Sequence, residues 1–234
     1  MTTATQTPRL ADDAQRGSHS LQRLVGRHST VTLYNGDAKD IMPDIKCDAV
    51  VTDPPYGLED TMQSGGNWWG KRVNGSNSRK TIMAWDKGDM KNIATSLLEL
   101  APIVVIWGGN YFVLPPSRGW LVWHKPDAVP TMANAELAWT NLNQNTRQIS
   151  WSIAATNAER VGHPTQKPVR VMAWSMDEAG VPKGATVLDP YMGSGSTGIA
   201  CLRTGRNFIG IERDAAHYKT ACDRIAHELD GALL

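Results

Sequence analysis

The sequence predicts an α/β protein with a mostly parallel central sheet and helices on both faces. Three observations predict it. Short β-rich runs alternate with helical stretches along most of the chain. The polar and glycine residues gather at the carboxyl ends of those runs, the edge where open α/β sheets bind ligands. And 234 residues, 41% hydrophobic and 20% charged, suffice for one large domain with a sizeable core.

The chain opens on a polar, small-residue stretch, and residues 1–28 are expected to be a flexible tail before a single domain over 29–234. The first expected strand is TVTLY (Thr30 to Tyr34), ending at Asn35-Gly36-Asp37. DAVVT (Asp48 to Thr52) runs into DPPYG, and IVVIW (Ile103 to Trp107) into Gly108-Gly109-Asn110. GWLVWHK (119–125) and AELAWT (135–140) follow, then ATVLD (185–189) before a glycine loop and NFIGIE (207–212) ending on an acid. A helical period spaces Ile93, Leu97 and Leu100. Pro168 suits the first position of a helix through Val169, Met172 and Met176 that Gly180 closes. Asp214 suits the cap of a last helix with the stripe Tyr218, Ala221, Ile225 and Leu229. Two polar segments break the alternation, near 57–87 with Lys71, Arg72, Arg79 and Lys80, and near 141–162 with Arg147 and Arg160. Loops that long in a compact domain invite a functional reading.

Bulk properties narrow the partners. A net charge of +1 implies no strong global attraction to a polyanion, so a nucleic-acid surface has to be a local patch. The three cysteines, Cys47, Cys201 and Cys222, are widely spaced, which suits a reducing cytoplasm and lacks zinc spacing; no metal site is expected. No apolar run reaches the ~18–20 residues of a membrane span. Nine tryptophans are many for this length, and those in polar company, such as Trp68, Trp69 and Trp151, suit packing or stacking.

Chemistry concentrates in three short stretches. LDPYMGSGSTG holds Gly193, Gly195 and Gly198 in G-x-G-x-x-G spacing between a strand and a helix, and Glu212 at the end of the next strand suits ribose hydroxyls. Four residues, Asp189 to Met192, stand between strand and glycines, and a carboxylate at Asp189 would repel a pyrophosphate. A cofactor with an adenosine, no phosphate and a positive charge fits better: S-adenosylmethionine. In HPTQKP, Thr165 and Lys167 suit its small carboxylate, Asp189 faces its cationic part, and Pro164 and Pro168 stiffen the loop. In DPPY, the Asp53 carboxylate and the Pro54 carbonyl can accept hydrogen bonds from an exocyclic amine, whose lone pair is otherwise delocalised into its ring. Tyr56 can stack on the base for about 1–3 kcal/mol.

Taken in order, DPPYG, HPTQKP, LDPYMGSGST and IGIE resemble the amino-methylating DNA methyltransferases of the β arrangement, in which the catalytic motif precedes the cofactor motif. WGGNYF, LVWHKP and ELAWT look like that family's intervening strands, and the match runs from about Thr30 to Leu229. The resemblance implies a Rossmann-like S-adenosylmethionine-dependent methyltransferase fold and a site-specific enzyme that methylates N6 of adenine in double-stranded DNA after flipping the base. It implies catalysis by Asp53, Pro54, Pro55 and Tyr56. It implies a cofactor site of Asp37, Ala38, Asp53, His163, Thr165, Lys167, Asp189, Tyr191, Gly193, Ser194, Gly195, Ser196, Thr197, Glu212 and Arg213. Tyr191 stands where phenylalanine is commoner in the family.

The target-recognition part is small, so DNA contacts fall to the two polar segments, with Lys71, Arg72, Arg79, Lys80 and Arg147 as candidates. Trp139, at the end of ELAWT, is the candidate second wall of the base pocket, against the reading that it packs under the sheet. An N4-cytosine enzyme of the same architecture stays open; the aspartate heading DPPY favours adenine. A NAD-binding oxidoreductase would leave DPPY and HPTQKP unexplained, and a non-catalytic nucleic-acid-binding module would leave DPPY idle. The expected setting is a bacterial or phage-infected cytoplasm, within restriction-modification. Oligomeric state stays open, a homodimer being one arrangement.

Overall fold

A computed structural model describes residues 20–26, 29–55, 89–159 and 166–231, the side chains of 89–94 apart. The expected β-rich runs form strands: β2 (Thr30–Asn35), β3 (Ala49–Thr52), β4 (Ile103–Trp107), β5 (Trp120–His124), β6 (Ala135–Thr140), β8 (Thr186–Asp189) and β9 (Asn207–Glu212). With β1 (Ser20–Val25) and β7 (Arg147–Ser150) they make one nine-stranded sheet in the order β1-β2-β9-β8-β3-β4-β6-β5-β7. The run β2-β9-β8-β3-β4 is parallel throughout. β6 runs antiparallel to both β4 and β5, and β1 antiparallel to β2.

The strands at the centre are apolar on both sides because both faces are covered. Val104 and Ile106 of β4 pack with α1 (Ala38–Ile41) and α2 (Asp89–Leu100), while Val105 and Trp107 point to the opposite face. That second face carries α4 (Val169–Glu178), α5 (Ser196–Arg203) and α6 (Ala215–Gly231) through Met172, Met176, Ile199, Ala221 and Ile225. The period of two in the strands thus separates the two cores.

Helix ends follow local chemistry. Pro168 stands one residue earlier than expected, as the extended cap of α4 rather than its first residue. Gly180, at φ +69°, terminates it, with Val181 N–H donating to Met176 O at 3.0 Å. The Asp214 carboxylate accepts from the backbone of Ala216 and His217, each at 2.9 Å, and starts α6.

Two expectations are corrected. Residues 20–25, assigned to the loose tail, form β1, because Leu24 is buried against the core and the strand pairs along the whole of β2. The polar segment 141–162 is not one continuous loop. It holds β7, parallel to β5, and α3 (Ile153–Ala158), whose N–H groups are capped by Ser152 Oγ and by both oxygens of Asp127. The segment 57–87 lies outside the described residues.

Candidate active site

The chain changes direction between β3 and β8. From β3 it moves to β4 on one side, and from β8 to β9 on the other. Their adjacent carboxyl ends open the crevice where doubly wound sheets hold ligands. Asp53 follows β3 and Asp189 ends β8, so the DPPY and glycine-loop motifs meet at this switch point.

Asp189 is 2% exposed. Its carboxylate accepts from Thr52 Oγ1 at 2.7 Å, Thr197 Oγ1 at 2.6 Å and Tyr191 N–H at 3.1 Å. Burial pushes its pKa up to about 6, against the pull of those three donors. The carboxylate ties the end of β3 to the start of α5 and only borders the crevice.

The glycine loop is shaped by packing as much as by ligand approach. Gly193 and Gly195 have φ of +51° and +82°. A Cβ on Gly198 would stand 2.7 Å from Ile225 Cδ1 and 2.8 Å from the Phe208 ring, so glycine lets α5 lie close on β9 and α6. Arg224 of α6 donates to Ser194 O at 2.6 Å and fixes the loop from behind, a contact with no signal in the sequence motifs. Glu212, at the end of β9, accepts from Gly193 N–H at 3.0 Å and Asp214 N–H at 2.7 Å. Burial raises its pKa despite these bonds. Asp37 caps α1 through Lys39 N–H at 3.0 Å and stands 3.7 Å from Arg213, so Asp37, Ala38, Glu212 and Arg213 share one end of the crevice across β2 and β9. Tyr191 is largely buried, which pushes its hydroxyl pKa up, with the charges of Asp37 and Asp189 adding to the effect.

The described part of HPTQKP divides its two polar side chains between the motifs. Gln166 accepts from Ser194 Oγ at 3.3 Å and donates to Glu159 O at 3.0 Å. Lys167 turns to the DPPY motif, with Nζ 2.7 Å from Asp53 Oδ2 and 2.8 Å from Glu136 Oε2. Lys167 was expected to anchor a free carboxylate; its nearest anions are two side chains of the protein itself. Glu136 also pairs with Lys125, and neither residue was singled out from the sequence. Their signal lay in LVWHKP and ELAWT, where one charge sits at the end of each apolar strand.

A small cavity of about 50 Å³ lies between these groups, bordered by Asp53, Gln166, Lys167, Met172, Asp189, Tyr191, Met192, Gly193, Ser194, Ser196 and Thr197. Ser196 Oγ is buried there without a hydrogen-bond partner among the described residues. A buried hydroxyl without a partner beside a cavity leaves this end of the crevice with unsatisfied polar capacity. Pro54 and Pro55 follow Asp53 at this rim; Tyr56, His163 and Thr165 lie outside the described residues, as do Lys71, Arg72, Arg79 and Lys80.

Of the remaining candidates, Arg147 is exposed on the outermost strand β7, 3.6 Å from Glu178. Trp139 is corrected. It is 3% exposed, its indole N–H donates to Pro115 O at 2.8 Å, and a Cβ on Gly109 would come within 2.4 Å of its own Cβ. Its side chain packs beneath Gly109 with Ile106 and Val104, so it is core and not a wall for a base.

A family model described as DNA methylase matches residues 115–223. Type II methyltransferase M2.DpnII of Streptococcus pneumoniae is 41% identical over 66 residues, 28% of this chain and 24% of that protein. Type II methyltransferase M.HinfI of Haemophilus influenzae is 25% identical over 252 aligned residues, 83% of this chain and 68% of that protein. The chain thus spans about a quarter of the first relative's length and about two thirds of the second's. In fold it is similar to the M1.HpyAVI–SAM complex, with a TM-score of 0.55 and 23% identity over 83% of this chain and 98% of that one. It is similar also to the PvuII DNA methyltransferase, described as cytosine-N4-specific, with a TM-score of 0.52 and 13% identity over 87% of this chain and 92% of that one.

Proposed function

We propose that this chain is a DNA methyltransferase of the N6/N4 family, supported by the DNA methylase model that matches residues 115–223, and that it transfers the methyl group of S-adenosylmethionine to the exocyclic N6 of adenine in double-stranded DNA. The observation that carries the reading is the meeting of Asp53 with the glycine loop at the β3/β8 switch point, beside a cavity with an orphaned hydroxyl. When bound, S-adenosylmethionine supplies an electrophilic methyl group on a sulfonium.

The chain's own residues supply the rest. Asp37, Ala38, Glu212 and Arg213 would hold the nucleoside end. Tyr191 and Gly193 to Thr197 would line the remainder, with Gln166 fixing Ser194 and Arg224 bracing the loop. Asp189, at the end of β8, ties the end of β3 through Thr52 and the start of α5 through Thr197. Asp53 and the Pro54 carbonyl accept hydrogen bonds from the target amine, drawing electron density onto its nitrogen as it attacks. The prolines stiffen the backbone that carries that carbonyl. Tyr56 stacks on the flipped base, and phosphates are met by Lys71, Arg72, Arg79, Lys80 and the exposed Arg147.

The fold is similar to that of a cytosine-N4-specific enzyme, so the fold does not choose adenine; the aspartate heading DPPY does, and adenine is the base we assign. A bacterial cytoplasm, a role in restriction-modification and the boundaries of the recognition segments, 57–87 and 141–162, belong to the same proposal. Expression in a methylation-free bacterium, followed by genome-wide mapping of modified bases, tests base and site together. Modified adenines at one recurring sequence are expected; N4-methylcytosine instead would overturn the assignment of the base.

A further inference from the structure

Asp53 does not stand alone at the crevice. It begins a chain of four alternating charges, Asp53, Lys167, Glu136 and Lys125, each within ion-pair distance of the next. The fold explains how Glu136 gets there. β6 pairs with β4 only from Ala138 onward, so Glu136, two residues earlier on the same face as Ala138, overhangs the carboxyl edge of β4. That face is the one on which α4 packs, and Lys167 lies in the loop entering α4. Trp107, at the last position of β4, floors the arrangement, with Lys167 Nζ 5.8 Å from its ring centroid. Lys125 lies over the Trp123 ring at 4.5 Å and closes the chain at its outer end.

We propose that Glu136 is a positioning residue for methyl transfer, holding the Lys167 ammonium between two carboxylates so that Asp53 is not neutralised by it alone. This rests on the reading of Asp53 as the acceptor for the target amine. An ammonium has three donors, and Lys167 directs one to each acid. The Lys167 side chain is 8% exposed, so the attraction is little screened by water. Glu136 is equipped to stay charged. Burial would raise its pKa, but Lys167 and Lys125 outweigh burial and hold it at about 2. With the second carboxylate gone, Asp53 loses its competitor for the ammonium and is held by it more tightly. An acceptor bound by a full counter-charge accepts the N–H of a neutral amine more weakly.

The test uses the full chain, radiolabelled S-adenosylmethionine and genomic DNA from a methylation-free bacterium. Glu136→Gln keeps the shape and removes the charge. It is expected to lower kcat about tenfold, the scale of one charge-assisted hydrogen bond, with KM for the cofactor unchanged within about twofold. Glu136→Asp should recover part of the loss. In a Lys167→Met background, Glu136→Gln should cost nothing further, because its route to Asp53 is gone. An unchanged kcat in Glu136→Gln, or losses that multiply in the double variant, would overturn the proposal. A second readout needs no activity. The side-chain ammonium signal of Lys167, followed by nitrogen-15 NMR, should shift in both Glu136→Gln and Asp53→Asn. A signal indifferent to Glu136→Gln would overturn the proposal even in an active enzyme. A signal that responds to both in a protein that methylates no DNA would leave Glu136's hold on Lys167 standing and remove the methyltransferase reading instead.

Discussion

Replacing Asp189 by asparagine should make stability depend on pH in a way that a simple contact loss would not. In the folded protein burial holds the Asp189 proton up to about pH 6, whereas its ordinary value is 3.8. Between those values the folded state binds more protons than the unfolded one. The stabilising contribution is therefore full below pH 3.8 and lost as pH rises through 6. The whole shift corresponds to about 3 kcal/mol, and the part falling between pH 5 and pH 7 to about 1–1.5 kcal/mol. Asparagine carries no charge at any of these values. Its Oδ1 can still accept from Thr52 and Tyr191, while the NH₂ group in place of Oδ2 requires the Thr197 hydroxyl to turn and accept, a cost independent of pH. Urea denaturation of both proteins at intervals from pH 5 to pH 7 separates the two effects, since titrations elsewhere cancel in the difference. The variant should gain on the wild type by about 1–1.5 kcal/mol across that range. A difference constant to within ~0.3 kcal/mol would mean that Asp189 is ionised in the fold at pH 5, its three donors outweighing burial, and the reasoning from burial would fail.

Other perturbations follow from the same geometry. Asp53→Ala should abolish methyl transfer while cofactor binding by calorimetry persists; turnover near wild type would remove Asp53 from the mechanism. Glu212→Ala should weaken cofactor binding by about 1.5–3 kcal/mol, the scale of hydrogen bonds to a charged group, and unchanged affinity would displace the proposed nucleoside end. Trp139→Ala should destabilise the fold by ~3–5 kcal/mol with activity per folded molecule retained; a stable variant with slowed methylation would return Trp139 to the base pocket. Gly198→Ala should cost about 1–3 kcal/mol, because its Cβ meets Phe208 and Ile225 below 3.0 Å; a neutral outcome would show that α5 has room to move away.

The elements that were legible in advance are those whose signal is local. Ile103–Trp107 and Ala135–Thr140 are apolar runs bounded by turn residues, and each forms a strand over the residues expected. Asp214 caps its helix because a carboxylate before an amphipathic stripe has few better uses. β1 escaped notice because only Leu24 of its six residues is buried, as befits an edge strand antiparallel to a single neighbour. β7 was hidden for a similar reason: Arg147, Gln148 and Ser150 are exposed, and Ile149 alone packs on the core.

At the site, residue types were readable and partners were not. Asp189 was singled out as an acid in a glycine loop, but that Thr52 would reach it across 137 positions follows only from β3 lying beside β8. Lys167 was read as a cation for a ligand, yet its neighbours are Asp53 and Glu136, brought together by the overhang of β6. Trp139 shows the opposite limit. A tryptophan at a strand end looks the same in sequence whether it faces a ligand or a glycine backbone, and here Gly109 takes that side.

The central claim is that Asp53 directs methylation of adenine N6. Its most direct test is to incubate unmethylated genomic DNA with the protein and S-adenosylmethionine, digest to nucleosides and identify the methylated product by mass spectrometry. The wild-type chain should yield N6-methyladenosine as the deoxynucleoside, and Asp53→Ala none. Equal product from both proteins, or no methylated nucleoside from either, would contradict the account.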